Sequence, residues 1–152
     1  MTRVVATVVY IVTDESILLG LKKRGFGIGY WNGFGGKLQE NETLESCAVR
    51  EVSEEVGLTV AYLVRLGTFE FFFPHINTTY EVHVFRTNTF SGQIQETDEM
   101  KPQWFLFDAI PFGEMWKSDS DWFPYLLKGK KFNGRYTFDE QNNVVNGSTE
   151  LV

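Results

Sequence analysis

One stretch of this 152-residue chain leaves the backbone little choice: residues 43 to 56 read as a helix. Thr43 or Asn41 offers an oxygen to cap its start, Gly57 stands where a left-handed terminating residue is wanted, and no proline interrupts it. At about 100° per residue, Ala48, Val49, Val52 and Val56 gather on one face, suited to packing on a sheet. Glu51, Glu54 and Glu55 share a different face. Like charges at this spacing repel by roughly a few tenths of a kcal/mol per pair, so a divalent cation is their natural counter-charge. The plainer reading is a solvated acidic face.

Around this helix the pattern is mostly strand. Val4 to Val12 is rich in β-branched residues and ends at the turn-forming Thr13-Asp14-Glu15-Ser16; Ile17 to Lys23 follows, so the chain opens on a hairpin. Residues 25 to 36 hold six glycines with Phe26, Tyr30, Trp31 and Phe34 between them, which predicts a functional loop or a crowded turn. Leu58 to Phe73 and Thr78 to Arg86 read as two strands joined through Pro74-His75-Ile76-Asn77. A further strand surrounds Trp104-Phe105-Leu106, and a second helix falls within Asp119 to Lys128 despite Pro124. Phe132 to Phe138 and Val144 to Val152 are late strands. No repeat or linker divides the chain, so the expectation is one α/β domain over residues 1–152, a mixed β-sheet sandwiched between α-helices.

Charge and cysteine usage narrow the partners. A net charge of −6 argues against a nucleic acid polymer or an anionic membrane surface, but not against a phosphorylated small molecule met through metal ions. The longest apolar run, Val4 to Val12, is too short to span a bilayer. The single cysteine, Cys47, cannot form an intramolecular disulfide, which fits a reducing compartment.

From Gly36 to Leu58 the chain reads GKLQENETLESCAVREVSEEVGL. This resembles the Nudix box at every fixed position: Gly36, Glu42, Arg50, Glu51, Val52, Glu54, Glu55, Gly57 and Leu58. At ordinary residue frequencies the strict identities would coincide about once in 10⁸ or more starting positions, so chance is not the explanation. The resemblance implies a Nudix fold and a metal-assisted attack of water on a nucleotide phosphorus. It implies that Glu51 and Glu55 are Mg²⁺ ligands, with Mn²⁺ as a substitute, that Glu54 is a ligand or base, and that Arg50 and Glu42 are supports.

Outside the box, Lys22 to Gly27, Trp31 to Lys37, Val82 to Phe85, Asp98-Glu99-Met100, Ile110-Pro111-Phe112, Met115-Trp116 and Trp122-Phe123-Pro124 resemble the animal branch of the family that acts on oxidised purine nucleoside triphosphates. That branch converts 8-oxo-dGTP, 2-hydroxy-dATP and some methylated purine triphosphates to monophosphate and pyrophosphate. The resemblance implies that Asn32 meets the base edge, that Phe26, Phe71, Phe73 and Trp116 wall the pocket, and that Thr7, Tyr80 and Met100 border it. Lys22 would meet phosphates, and Glu99 and the Gly35 carbonyl would add metal ligands. A monomer in the cytoplasm is the default expectation, a mitochondrial or nuclear fraction being compatible.

Plainer readings stand beside these. Phe71 and Phe73 at period-two spacing also suit a core-facing strand, and Lys22-Lys23-Arg24 suits a solvated basic run. His75, His83 and Cys47 receive no role. The alternatives in function are a Nudix enzyme for other modified nucleotides, such as methylated purine triphosphates, and a non-catalytic nucleotide-binding Nudix module. The chain departs from the resemblance at one point. Where this branch carries two adjacent aspartates that read the purine edge, the chain has Ser118 and Asp119. Two carboxyls can exchange a proton, whereas a serine hydroxyl does not titrate, so selectivity between guanine-like and adenine-like edges is expected to change.

Overall fold

In the computed structural model, which describes residues 1–152, the apolar opening run becomes the centre of a large mixed sheet. Strand β1 (Thr2–Val12) pairs in parallel with β7 (Thr78–Thr87) along almost its whole length. On its other side β1 meets first β4 (Phe34–Lys37) and then β2 (Ser16–Lys22), both antiparallel, the latter forming the expected opening hairpin. β2 carries β9 (Met100–Leu106) along one edge and the short β3 (Trp31–Asn32) on the other. Beyond β7 come β6 (Val64–Phe73), β10 (Phe132–Phe138) and β11 (Val144–Leu151), while β5 (Thr59–Ala61) and β8 (Thr89–Ser91) form a separate two-stranded ribbon.

Both faces of β1 are covered, which explains why it reads as a continuous hydrophobic run instead of an alternating one. Val8, Tyr10 and Val12 point to one core, shared with Phe69, Phe73, Trp122, Phe123 and Phe132 beneath helix α2 (Asp119–Leu127). Val9 and Ile11 point to the other, shared with Ala48, Val52 and Val56 of helix α1 (Leu44–Val56). A mixed sheet lies between two helices, as expected. No helix is long and apolar enough to cross a membrane.

Helix α1 is fixed at both ends. Thr43, not Asn41, is the cap: its hydroxyl accepts from the Ser46 amide at 3.1 Å, and the Ser46 hydroxyl accepts from the Thr43 amide at 3.0 Å. Such a cap contributes about 0.5–2 kcal/mol. Gly57 closes the helix at φ 75°, its amide returning to Ser53. Helix α2 forms despite Pro124 at its sixth position.

Two boundaries differ from expectation. Leu58 to Phe73 is two strands, because Tyr62 takes a left-handed φ of 53° and turns the chain between β5 and β6. The strand around Trp104 starts at Met100, where pairing to Lys22 of β2 already begins.

Candidate active site

A cavity of about 200 Å³ opens on the α2 side of the sheet and runs toward the end of α1. Its lining includes Thr7, Lys22, Phe26, Asn32, Phe71, Phe73, Tyr80, Met100, Trp116, Ser118 and Asp119, together with Gly35 and Glu55. The sequence-derived base site is therefore brought together in one place. Glu51, Glu54, Glu99 and Arg50 lie outside the cavity wall.

The polar end of the cavity is built by close approach of backbones. Glycines 35 and 36 on β4 press against β1 and α1 so tightly that no side chain fits. A Cβ on Gly35 would sit 1.8 Å from the Thr7 carbonyl oxygen, and one on Gly36 would sit 2.6 Å from the Glu51 carboxylate. In the space they leave, the Gly35 amide donates to Glu55 Oε1 at 2.6 Å. Glu55 is buried, and desolvation pushes its carboxyl up to about 8, with nearby Glu51 and Glu99 adding to the rise against the Gly35 amide and Lys22. Burial likewise raises Glu51, against the pull of Arg50.

Arg50 is the hub of the surrounding charges. Its guanidinium donates to Glu42 at 2.5 and 2.9 Å, to Glu51 at 2.7 Å and to Glu54 at 3.2 Å. The Arg50 bonds hold Glu42 down at about 2. Glu54 is largely exposed, so of the three helix carboxylates only Glu51 and Glu55 turn inward to the β4 glycines. Glu99 is held by Arg24 at 2.7 Å. The four carboxylates therefore do not converge as a ready-made ligand cluster. Their chemistry fits a hard divalent cation nonetheless: a buried carboxylate raised by two carboxylate neighbours is relieved by positive charge, and oxygen donors suit Mg²⁺.

The other end is aromatic, with a polar floor. The Asn32 side-chain oxygen accepts from the Tyr10 hydroxyl at 2.7 Å and from the Gly33 amide at 2.8 Å, which leaves its NH₂ as the group free for a ligand. Ser118 begins α2 without capping it, and its hydroxyl is buried with no partner. Asp119 Oδ2 and Trp122 Nε1 are buried and unpartnered too. Burial raises the Asp119 carboxyl well above its ordinary value and so favours the neutral acid, a form that can both donate and accept. Unpartnered buried polar atoms are costly and rare, and here three belong to neighbouring residues that line the cavity.

Sequence reasoning missed Tyr10, Trp122 and Phe138, all of which line the cavity. Tyr10 lies within an apolar strand and gives no signal of its own; only the fold shows its hydroxyl orienting Asn32. Cys47 is buried beside the Thr7 hydroxyl at 3.4 Å, and His83 pairs with Glu81 on another part of the sheet at 2.7 Å.

Comparison with known proteins agrees with this geometry. The sequence matches the family model of the NUDIX domain over residues 1–126. It is 46% identical over 146 residues to the oxidized purine nucleoside triphosphate hydrolase of Mus musculus, covering 96% of this chain and 94% of that protein. It is 46% identical over 151 residues to the protein of the same name from Danio rerio, covering 99% and 97%. Among solved structures, a MutT protein from Bacillus halodurans superposes with a TM-score of 0.87 over 97% of both chains at 21% identity, a likeness of fold alone. A MutT Nudix hydrolase from Burkholderia pseudomallei reaches 0.69 at 28% identity, over 73% of this chain and 88% of that one. Nudix hydrolases generally use divalent metal ions, which the carboxylates at the end of α1 suit. The chain belongs to the Nudix hydrolase family.

Proposed function

We propose that this chain hydrolyses oxidised purine nucleoside triphosphates, such as 8-oxo-dGTP, to the monophosphate and pyrophosphate, and so keeps damaged bases from being incorporated. The observation that carries the reading is a single cavity whose aromatic end is lined by the unpartnered polar groups of Ser118, Asp119 and Trp122 beside Asn32, and whose other end is the buried carboxylate of Glu55. Relatives 46% identical over nearly the whole chain bear the corresponding name.

In this reading the chain's own groups divide the work. The Asn32 NH₂ donates to a carbonyl on the base. Neutral Asp119 offers one donor and one acceptor, Ser118 adds a hydroxyl, and Phe71, Phe73 and Trp116 supply flat apolar walls. Thr7 and Met100 bound the cavity, and Lys22 reaches its phosphate end. Glu51 and Glu55 would hold Mg²⁺, or Mn²⁺ in its place, with Glu54, Glu99 and the Gly35 carbonyl as the candidates for the remaining ligands. A metal bound there polarises phosphoryl oxygens and lowers the pKa of its bound water. Arg50 acts as a brace, fixing Glu51 on the helix through the same guanidinium that grips Glu42.

We further propose that the protein works as a monomer, and in the cytoplasm, which the free, buried Cys47 suits. The test is a panel of oxidised, methylated and ordinary nucleoside triphosphates with Mg²⁺ and pyrophosphate detection. Oxidised purines should give the highest kcat/KM. A higher value for ordinary or methylated triphosphates, or no Mg²⁺-dependent turnover, would overturn the reading.

A further inference from the structure

The cavity is smaller than its proposed task requires. Sites that hold small ligands run to about 300–1,000 Å³, against about 200 Å³ here, so something fills part of the room. The filler at the mouth is Phe26. Its ring lies 5.3 Å from Tyr80 and nearly parallel to it, at 13°; it meets Phe73 edge-on at 5.2 Å and Trp116 at 5.3 Å. A base inserted between Phe26 and Tyr80 would need two van der Waals layers, about 7 Å between ring planes, and the present 5.3 Å between ring centres excludes it.

The two members of this stack are mounted differently. Tyr80 is fixed inside the sheet, opposite Val4 of β1 on one side and Phe71 of β6 on the other. Phe26 is 48% exposed and stands between Gly25 and Gly27, at φ 80° and 86°, in a loop closed at its base by Gly29 to Lys22 and Lys22 to Tyr30 bonds. Positive φ at both neighbours belongs to the left-handed region that glycine adopts without strain, so the loop can move about these points while its base stays tied. The hydroxyl of Tyr80 makes no hydrogen bond, and its ring also packs edge-on against Phe73 at 5.7 Å.

We propose that Tyr80 is a positioning residue for substrate admission: its ring holds Phe26 closed over the cavity, so a nucleotide base binds only after that stack is broken. The inference rests on the cavity being the base site. The closed lid is then a population cost: the apparent affinity falls by the fraction of molecules that are open.

The proposal predicts the sign of a mutant effect that an ordinary wall residue would reverse. Tyr80→Leu keeps an apolar side chain but removes the stack. It should lower KM for 8-oxo-dGTP about 2- to 10-fold with kcat little changed, the range that follows from one aromatic pair. Tyr80→Phe keeps the stacking ring and should keep the loop's slow exchange. In the ligand-free proteins, hydrogen exchange at the amides of Ile28 and Tyr30, which bond within the loop, should quicken by a similar factor in Tyr80→Leu alone, while the Gly29 amide at the tied base should not. A KM that rises or stays level, or unchanged exchange, overturns the lid. Should Tyr80→Leu fail to fold, Tyr80→Met gives the same two readings. If the wild type hydrolyses no oxidised purine triphosphate, the function assigned above fails, while the exchange measurement still decides whether Tyr80 holds the loop.

Discussion

The two ends of the cavity solve opposite problems. At the α1 end almost every charge already has a partner: Arg50 binds Glu42, Glu51 and Glu54, Arg24 binds Glu99, and Glu55 takes the Gly35 amide. At the α2 end three buried polar atoms have none. The first end is braced before anything binds. The second is left polar and unsatisfied, and an incoming molecule supplies the missing partners. A paired end suits a reaction centre that must hold its shape, whereas an unpaired end discriminates: a base that fails to complete those bonds leaves their cost standing.

The largest effect expected from breaking this contrast is at Glu55. Glu55→Gln removes the one buried carboxylate of the braced end and should lower Mg²⁺-dependent kcat at least about 100-fold. Turnover within a few-fold of wild type would show that Glu55 is not at the reaction centre. The same variant tests the electrostatics. In the folded, metal-free protein Glu55 holds its proton up to about pH 8, while the unfolded chain releases it near 4.5. Across that window the unfolded state binds fewer protons, so this group makes stability fall as pH rises, and buried Asp119 acts in the same direction. Thermal unfolding of metal-free protein should show that fall, a shallower one in Glu55→Gln, and a reversal when Mg²⁺ is added. A decline of equal slope in the variant would count against the assignment.

Next in size is the unpaired end. Asp119→Leu removes the neutral acid and should raise KM about 10- to 100-fold with a smaller change in kcat, the cost of one or two lost buried hydrogen bonds. Asp119→Asn keeps a donor and an acceptor and should lose much less. Equal losses in the two would mean that charge, not hydrogen bonding, is what Asp119 contributes.

The smallest effect is the most specific. Ser118→Asp should change the ratio of kcat/KM for 8-oxo-dGTP over 2-hydroxy-dATP by a few-fold, because a second carboxyl can exchange a proton with Asp119 where the hydroxyl cannot. A ratio unchanged by the substitution would show that Ser118 does not set selectivity.

Much of the braced end was legible in the sequence because its signals are local. The Thr43 cap, the Gly57 terminator and the spacing of three glutamates all fall within one helix and its two flanking residues, where 3.6-residue periodicity translates directly into geometry. The sequence could not show that Glu54 faces solvent while Glu55 is buried, since that depends on where β4 crosses the helix. The unpaired end is assembled from β1, the loop that carries Phe26, β3, β6, β7, β9, β10 and the start of α2, segments far apart in sequence. Its members were named through family resemblance. Where that resemblance carried no information, as at Tyr10 or Phe138, they read as plain core. The break at Tyr62 was missed for a related reason: a non-glycine residue with φ of 53° carries no local signature.

One feature of the β3–β4 segment joins the two ends. Asn32 and Gly35 are three residues apart on a stretch pinned to β2 at one end and to β1 at the other. An extended chain of that length spans about 10 Å and no more. With the roles proposed above, this short stretch is a ruler: it sets how far a molecule's hydrogen-bonding edge lies from the carboxylate that faces its phosphates. Molecules would then be sorted by reach as well as by edge, and one that satisfied Asn32 with too long or too short a body would present the wrong atom to Glu55.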